Sequence, residues 1–225
     1  MKLAIFDFDG TLLSRDTLPC LGDEWKRQNR SRFRYLNTYA NIAPVVLLYK
    51  AGFITREKMK YLALSRFNRM FRHMTKKEIN EFFSRAYPGL KNLFNSIVLE
   101  EMKNAQDEGY HCVLLSGAYN DLLRIVAKDL GVPTVMGFEL YFSHDEKVDL
   151  KKEISFVDGK KKLDLLKESF SRKEIDWQAS RAYGDSYTDV FIMNLVGEPV
   201  AVNPDPGLLA YAQNHNWRII QEQCS

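Results

Sequence analysis

The sequence predicts an α/β protein, a parallel sheet covered by helices with a helical subdomain inserted near its start. Three observations lead there. Short apolar runs at residues 3–8, 111–115 and 199–202 suit strands buried on both faces. Longer segments of helical spacing lie between the later runs, and strand–helix alternation is the pattern of a parallel sheet. From Leu18 to about Ala86 the pattern changes to long helical periods rich in Arg, Tyr and Phe.

Taken in order, the first strand ends in the acids Asp7 and Asp9. Within the insertion Met59, Leu62, Phe67, Met70 and Phe71 recur at helical intervals, and Thr55 and Thr75 are helix starts, of which only Thr75 has its Glu78 for a capping box. After Pro88-Gly89, residues 90–108 read as one helix closed by Gly109. A strand at 111–115 follows, then a helix at 120–130 closed by Gly131 and Pro133. Residues 138–142 and 147–151 suggest a small antiparallel ribbon. Helices are expected at 162–170, 187–195 and 207–214, and strands at 181–183 and 199–202.

Composition narrows the function classes. With 45% hydrophobic and 27% charged residues the chain is ordinary globular material, which excludes a wholly disordered, collagen-like or coiled-coil protein. The longest clean apolar run, residues 42–49, contains Pro44 and falls far short of the roughly 20 residues that span a bilayer. Asp7 and Asp9 interrupt the first apolar stretch before it reaches signal-peptide length, so a cytoplasmic location is expected. Cys20, Cys112 and Cys224 lack paired metal-site spacing and are expected to be reduced thiols. His73, His111, His144 and His215 likewise show no ligand spacing.

The net charge of +3 conceals an asymmetry. Residues 14–87 hold 16 Lys and Arg against 6 Asp and Glu, a balance of +10 that leaves −7 for the remainder. A basic insertion can attract an anionic substrate. No recognition motif accompanies the charge, so no nucleic-acid partner is expected.

Three loops, each just past an apolar strand, carry the chemistry: Asp7-Phe8-Asp9-Gly10-Thr11, Ser116-Gly117, and Gly184-Asp185-Ser186 with Asp189. Ligands of open α/β sheets bind beyond the carboxyl ends of the strands, where such loops can meet. One D-x-D is a weak signal, since two acids and a glycine also make a turn. The ordered set of three is much stronger.

These motifs resemble those of the haloacid dehalogenase superfamily, in its phosphoserine-phosphatase-like branch. The resemblance rests on residues 6–12, on Leu114-Leu115-Ser116-Gly117, on Gly184-Asp185-Ser186 with Asp189, and on the tail from Val200 to Asp205. It implies a Rossmann-like parallel sheet core, residues 1–13 and 88–225, with an inserted helical cap domain at 14–87. It also implies a magnesium-dependent phosphomonoester phosphatase in which Asp7 is the nucleophile, forming an aspartyl phosphate, and Asp9 the general acid and base. Magnesium would be held by the Asp7 and Asp185 carboxylates and the Asp9 main-chain carbonyl, with Asp189 orienting that shell. Ser116, the Gly117 amide and a lysine would bind phosphoryl oxygens, Thr11 would support the phosphate loop, and Gly10 and Gly117 would let the backbone approach.

The lysine is ambiguous within Lys160-Lys161-Lys162. The spacing of phosphoserine phosphatases picks Lys160; that of uncharacterised relatives picks Lys162, which is slightly favoured. Asp16 stands nine residues after Asp7, where phosphoserine phosphatases carry a substrate-binding glutamate. A substrate-carboxylate arginine could be Arg56, Arg66, Arg69 or Arg72. The expected partner is a small soluble phosphate ester, phosphoserine included. Lesser readings are a lipid-phosphate phosphatase touching a membrane surface, a phosphotransferase, and a catalytically silent binding protein; the intact acids speak against the last.

Overall fold

The computed structural model describes residues 1–221; Cys224 lies outside the described residues. Six parallel strands form one sheet: β1 (Leu3–Phe6), β2 (His111–Tyr119), β3 (Thr134–Phe138), β4 (Arg181–Gly184), β5 (Glu198–Val202) and β6 (Arg218–Ile220), in the order β3-β2-β1-β4-β5-β6. Every residue of β1 is buried, as a central strand covered on both faces requires. Alternation splits its side chains between two cores. Ala4 and Phe6 join one, and Leu3 and Ile5 the other.

The second core is covered by α7 (Lys160–Ser169), α8 (Val190–Met193) and α9 (Pro206–Asn214). The first is covered by α5 (Ser96–Asp107) and α6 (Asn120–Leu130), and continues without a break into the insertion. That segment comprises α1 (Thr17–Arg27), α2 (Arg32–Lys50), α3 (Arg56–Phe67), a 3-10 turn (Asn68–Phe71) and α4 (Lys76–Lys91). Phe71 is its hub: its ring meets those of Trp25, Phe67, Phe82 and Phe83 from the insertion and Tyr119 from the end of β2. The Tyr119 hydroxyl donates to Asn68 Oδ1 at 2.7 Å, a second tie between sheet and insertion.

Several expected elements differ. Residues 90–108 are not one helix: α4 passes through Pro88 and ends at Lys91, and α5 starts afresh where Asn95 Oδ1 accepts the Ile97 and Val98 amides. The ribbon at 138–151 reduces to an isolated antiparallel bridge between Phe142 and Val148: Phe138 belongs to β3, and Lys147, whose carbonyl accepts the Ser143 amide at 2.8 Å, also bridges to Thr75 of the insertion. The helix expected at 187–195 is a 3-10 turn (Tyr187–Asp189) followed by α8. Among the described residues no helix is long and apolar enough to cross a membrane.

Candidate active site

The first and last motif loops leave the carboxyl ends of β1 and β4, while Ser116-Gly117 lies within β2, which runs on past the expected 111–115 to Tyr119 through a register shift after Leu115; the three strands are neighbours at the centre of the sheet. Adjacent strands lie about 4.8 Å apart, so residues distant in sequence are brought within contact range. Chain progression also reverses between β1 and β4, the position at which α/β sheets open a crevice.

Asp7 directly follows β1. Its amide extends the ladder to the Tyr183 carbonyl at 3.0 Å, and its Oδ1 accepts the Phe8 amide at 2.7 Å. Phe8 turns inward and is fully buried, which anchors the loop. Gly10 has φ of 75°, and a Cβ there would stand 2.5 Å from Asp185 Oδ2, so glycine is what lets the first and last motif loops touch. Asp9 Oδ1 accepts the Thr17 amide at 2.8 Å and the Thr17 hydroxyl, which fastens it to the start of α1. Burial, and next the nearby Asp16 carboxylate, push the Asp9 carboxyl up to about 7 in spite of those hydrogen bonds.

Lys162 is 4% exposed, whereas Lys160 and Lys161 are exposed on the same first turn of α7. Its Nζ lies 2.9 Å from Asp7 Oδ2 and 2.7 Å from Asp189 Oδ1. Burial disfavours the ammonium, but the two carboxylates outweigh it and hold Lys162 above the ordinary lysine range. Asp189 sits in the 3-10 turn, where its Oδ2 accepts the Ser186 amide at 3.2 Å.

Asp185, just past β4, accepts Arg56 Nη2 at 3.0 Å on Oδ2, while its buried Oδ1 has no hydrogen-bond partner. Burial above all raises both the Asp185 and Asp189 carboxyls. Carboxylate oxygens of Asp7, Asp185 and Asp189 lie within 4.8 Å of one another and could hold a metal ion. Oxygen donors around an orphaned carboxylate atom fit a hard divalent cation.

Ser116, near the end of β2, is 1% exposed and lines the same cavity as Gly117. A Cβ on Gly117 would come within 3.0 Å of the Val157 carbonyl. Thr11 is wholly buried beneath the loop, its hydroxyl without a partner. Asp16 is exposed at the α1 N-cap, makes no capping bond, and stands on the cavity rim.

The candidate arginines do not converge. Arg56 bridges Asp185 and Asp205, at 2.7 Å to the latter, and the acids hold its guanidinium above its ordinary range against the effect of burial. Arg66 donates to the Asn41 carbonyl at 2.7 Å, and Arg69 and Arg72 line a separate hollow beside Phe33.

Two residues escaped the sequence reading. Asp158 Oδ1 accepts the Gly159 amide and the Thr188 hydroxyl, each at 2.8 Å, joining the lysine loop to the last motif loop. An Asp-Gly pair before a lysine run reads as an ordinary turn and gives no such signal. Lys60 stands one turn after Arg56 on α3, raised above its ordinary range where burial is outweighed by Asp185, Asp7 and Asp9. The four-residue spacing of two cations on one helix face was its only visible sign.

Above these groups a cavity of about 290 Å³ runs between the sheet ends and α1, α2 and α3.

Known proteins place this geometry. The chain is 30% identical over 119 residues to the phosphoserine phosphatase SerB1 of Mycobacterium tuberculosis, a match covering 50% of this chain and 36% of that one. The chain thus spans little more than a third of that relative's length. A solved protein of unknown function from Bordetella pertussis Tohama I superposes with a TM-score of 0.79 at 20% identity, covering 97% of each chain. A substrate-bound phosphoserine phosphatase superposes with a TM-score of 0.67 at 16% identity, over 98% of this chain and 93% of that one, which establishes the shared α/β fold. The model of the haloacid dehalogenase-like hydrolases matches residues 4–193, and with the three motifs gathered toward the carboxyl ends of adjacent strands the chain belongs to that hydrolase family.

Proposed function

We propose that the protein is a magnesium-dependent phosphomonoester phosphatase working through an aspartyl phosphate. The observation that carries this reading is the meeting of Asp7, Lys162 and Asp189, with Asp185 alongside, in a chain of this family, Asp7 and Lys162 lining the floor of the cavity. An anionic nucleophile attacking an anionic ester needs positive charge close by. Lys162 supplies part of it from a dry position, where its attraction is little screened.

In this reading an Asp7 carboxylate oxygen bonds to phosphorus as the ester P–O bond breaks, and the departing alkoxide takes its proton from Asp9. A water molecule, deprotonated by Asp9, then bonds to phosphorus as the Asp7–phosphorus bond breaks. Inorganic phosphate leaves and Asp9 has its proton back. Lys162, Ser116 and the Gly117 amide hold the phosphoryl oxygens throughout, and Asp189 orients Lys162 by its 2.7 Å contact. The Asp7 and Asp185 carboxylates and the Asp9 main-chain carbonyl would hold magnesium, which when bound neutralises charge on the phosphoryl group. Thr11 supports the loop from below, and the helical segment at 14–87 acts as a cap that keeps bulk water out.

The test is phosphate release from a panel of phosphate esters. We expect turnover that needs magnesium, stops with EDTA and returns on adding the metal back. Asp7→Asn keeps the size but removes the anionic nucleophile, and should lower turnover by about 10³-fold or more. Near-normal turnover of that variant would overturn the mechanism.

A further inference from the structure

The walls of the cavity differ in kind from its floor. One face of α2 presents Ile42, Val46 and Tyr49 to it, and the facing side of α3 presents Met59, Ala63 and Phe67. The spacings 42-46-49 and 59-63-67 keep each set on one helix face, so two apolar stripes stand opposite each other above the carboxylates. Phe156 and Tyr119 close the sides.

Charged side chains gather at the ends, and the hydroxyls of Tyr39 and Tyr119, whose rings also line the walls, are taken by the Leu18 carbonyl and Asn68 Oδ1. Asp7, Asp9, Lys60, Ser116 and Lys162 are gathered at the floor, with Asp16 on its rim. At the outer end the half-exposed Tyr49 stands beside Lys50. Among the described residues no guanidinium lines the cavity, for Arg56 is held by Asp185 and Asp205 and the other candidate arginines lie elsewhere. Beyond the floor, where Lys60 and Lys162 face the phosphate, a leaving group with a carboxylate or a chain of hydroxyls would lose water and find few partners between the helices, which is costly. A hydrocarbon leaving group would meet contact along its length. From Ile42 to Tyr49 the α2 face runs about 10 Å, enough for a chain of several carbons.

We infer that the substrate is the monophosphate of an apolar, chain-like alcohol, its hydrocarbon lying between α2 and α3 while its phosphate meets Asp7 and Lys162. The inference rests on the phosphatase reading above. It replaces an amino-acid-like leaving group with an alkyl one.

The test uses unbranched 1-alkyl phosphates from ethyl to decyl, below their micelle concentrations, beside O-phosphoserine and glycerol phosphate, with phosphate release measured under magnesium. Burying each added methylene should raise kcat/KM by about fourfold over the first several carbons, until the chain outruns the cavity. O-phosphoserine and glycerol phosphate should fall well below butyl phosphate. Val46→Asn, a substitution at a partly exposed position, should lower the octyl-to-ethyl ratio of kcat/KM at least about tenfold. A flat chain-length series, a preference for O-phosphoserine, or an unaltered ratio in Val46→Asn would overturn the inference while leaving the phosphatase reading intact. Calorimetry with alkylphosphonates, which cannot be hydrolysed, separates the two. Octylphosphonate binding much more tightly than ethylphosphonate supports the apolar slot even if no ester is turned over, in which case the phosphatase reading alone fails; equal binding overturns the slot.

Discussion

The three lysines at the start of α7 show how much one residue's environment decides. In sequence they are equivalent neighbours, and spacing arguments divide between Lys160 and Lys162. Burial separates them, because a single helical turn points Lys162 at Asp7 and Asp189 and leaves the other two in water. Lys162→Ala should cut turnover by about 10² to 10³-fold and, by stranding two buried carboxylates, lower stability by about 3–5 kcal/mol. Lys160→Ala and Lys161→Ala, at exposed side chains, should leave turnover near that of the parent and stability within about 0.5 kcal/mol of it. Parallel kinetics and urea denaturation check this; a severe Lys160→Ala defect would move the role to that position. The acids were legible because their order and their glycines are visible in sequence. Of the partners that set their protonation, which come from other elements, Arg56 was visible only as one of four arginines considered for a substrate carboxylate, and Lys60 and Asp158 were not visible. His111 gives an independent test of environment away from the site. Its Nε2 lies 2.7 Å from Thr134 Oγ1, its ring meets Phe170 edge-on, and burial, with Lys173 adding to it, lowers its pKa below 6.5. The unfolded chain thus binds the proton more readily. The stability this position contributes is complete above about 6.5 and is lost as pH falls through the lower folded-state value. Urea midpoints at pH 7.5 and 5.0 should differ less in His111→Gln than in the parent, and equal differences would show that other groups carry the acid sensitivity.

At the scale of elements, the strands that bear the motifs were legible and the edges of the sheet were not. β1, β2 and β5 bury most of their residues and read as apolar runs, whereas β4, Arg-Ala-Tyr-Gly, is buried from Ala182 on but too short to show one. β3 carries Gly137 and is only half buried, and β6 has three residues beginning with Arg218, so neither shows the run that marks a doubly covered strand. The merged helix at 90–108 failed for a different reason. Leu90, Leu93, Phe94 and Val98 continue an apolar periodicity through the break, and only the side chain of Asn95 reports that one helix has ended and another begun. α2 shows the limit of pattern from the other side. Its apolar residues are spread around the helix, with only Thr38, Ile42 and Val45 buried, while Phe33, Leu36 and Leu47 are exposed. Composition alone therefore gives it no single inner face, and the cavity-facing stripe emerges only once α3 is set opposite it.

The molecule as a whole combines a basic insertion with an acidic core, yet charge does not divide it into independently packed halves. One continuous apolar cluster runs from Ala4 and Phe6 in the central strand, through Leu122 and Val126 of α6, to Trp25, Phe67, Phe71 and Phe82 of the insertion. Phe71 touches rings on both sides of that junction, Tyr119 from the sheet and Trp25 from α1. Cooperative unfolding follows when neither side retains a closed core without the other. The three tryptophans allow a direct check, since Trp25 lies in the insertion and Trp217 packs against the opposite face of the sheet. Variants keeping only Trp25 or only Trp217 should report the same urea midpoint. Phe71→Ala should lower both midpoints together, by an amount equivalent to about 3–5 kcal/mol for a large buried ring removed. If the Trp25 signal alone moved and the Trp217 signal held its place, the insertion would be a separate folding unit whose packing is its own.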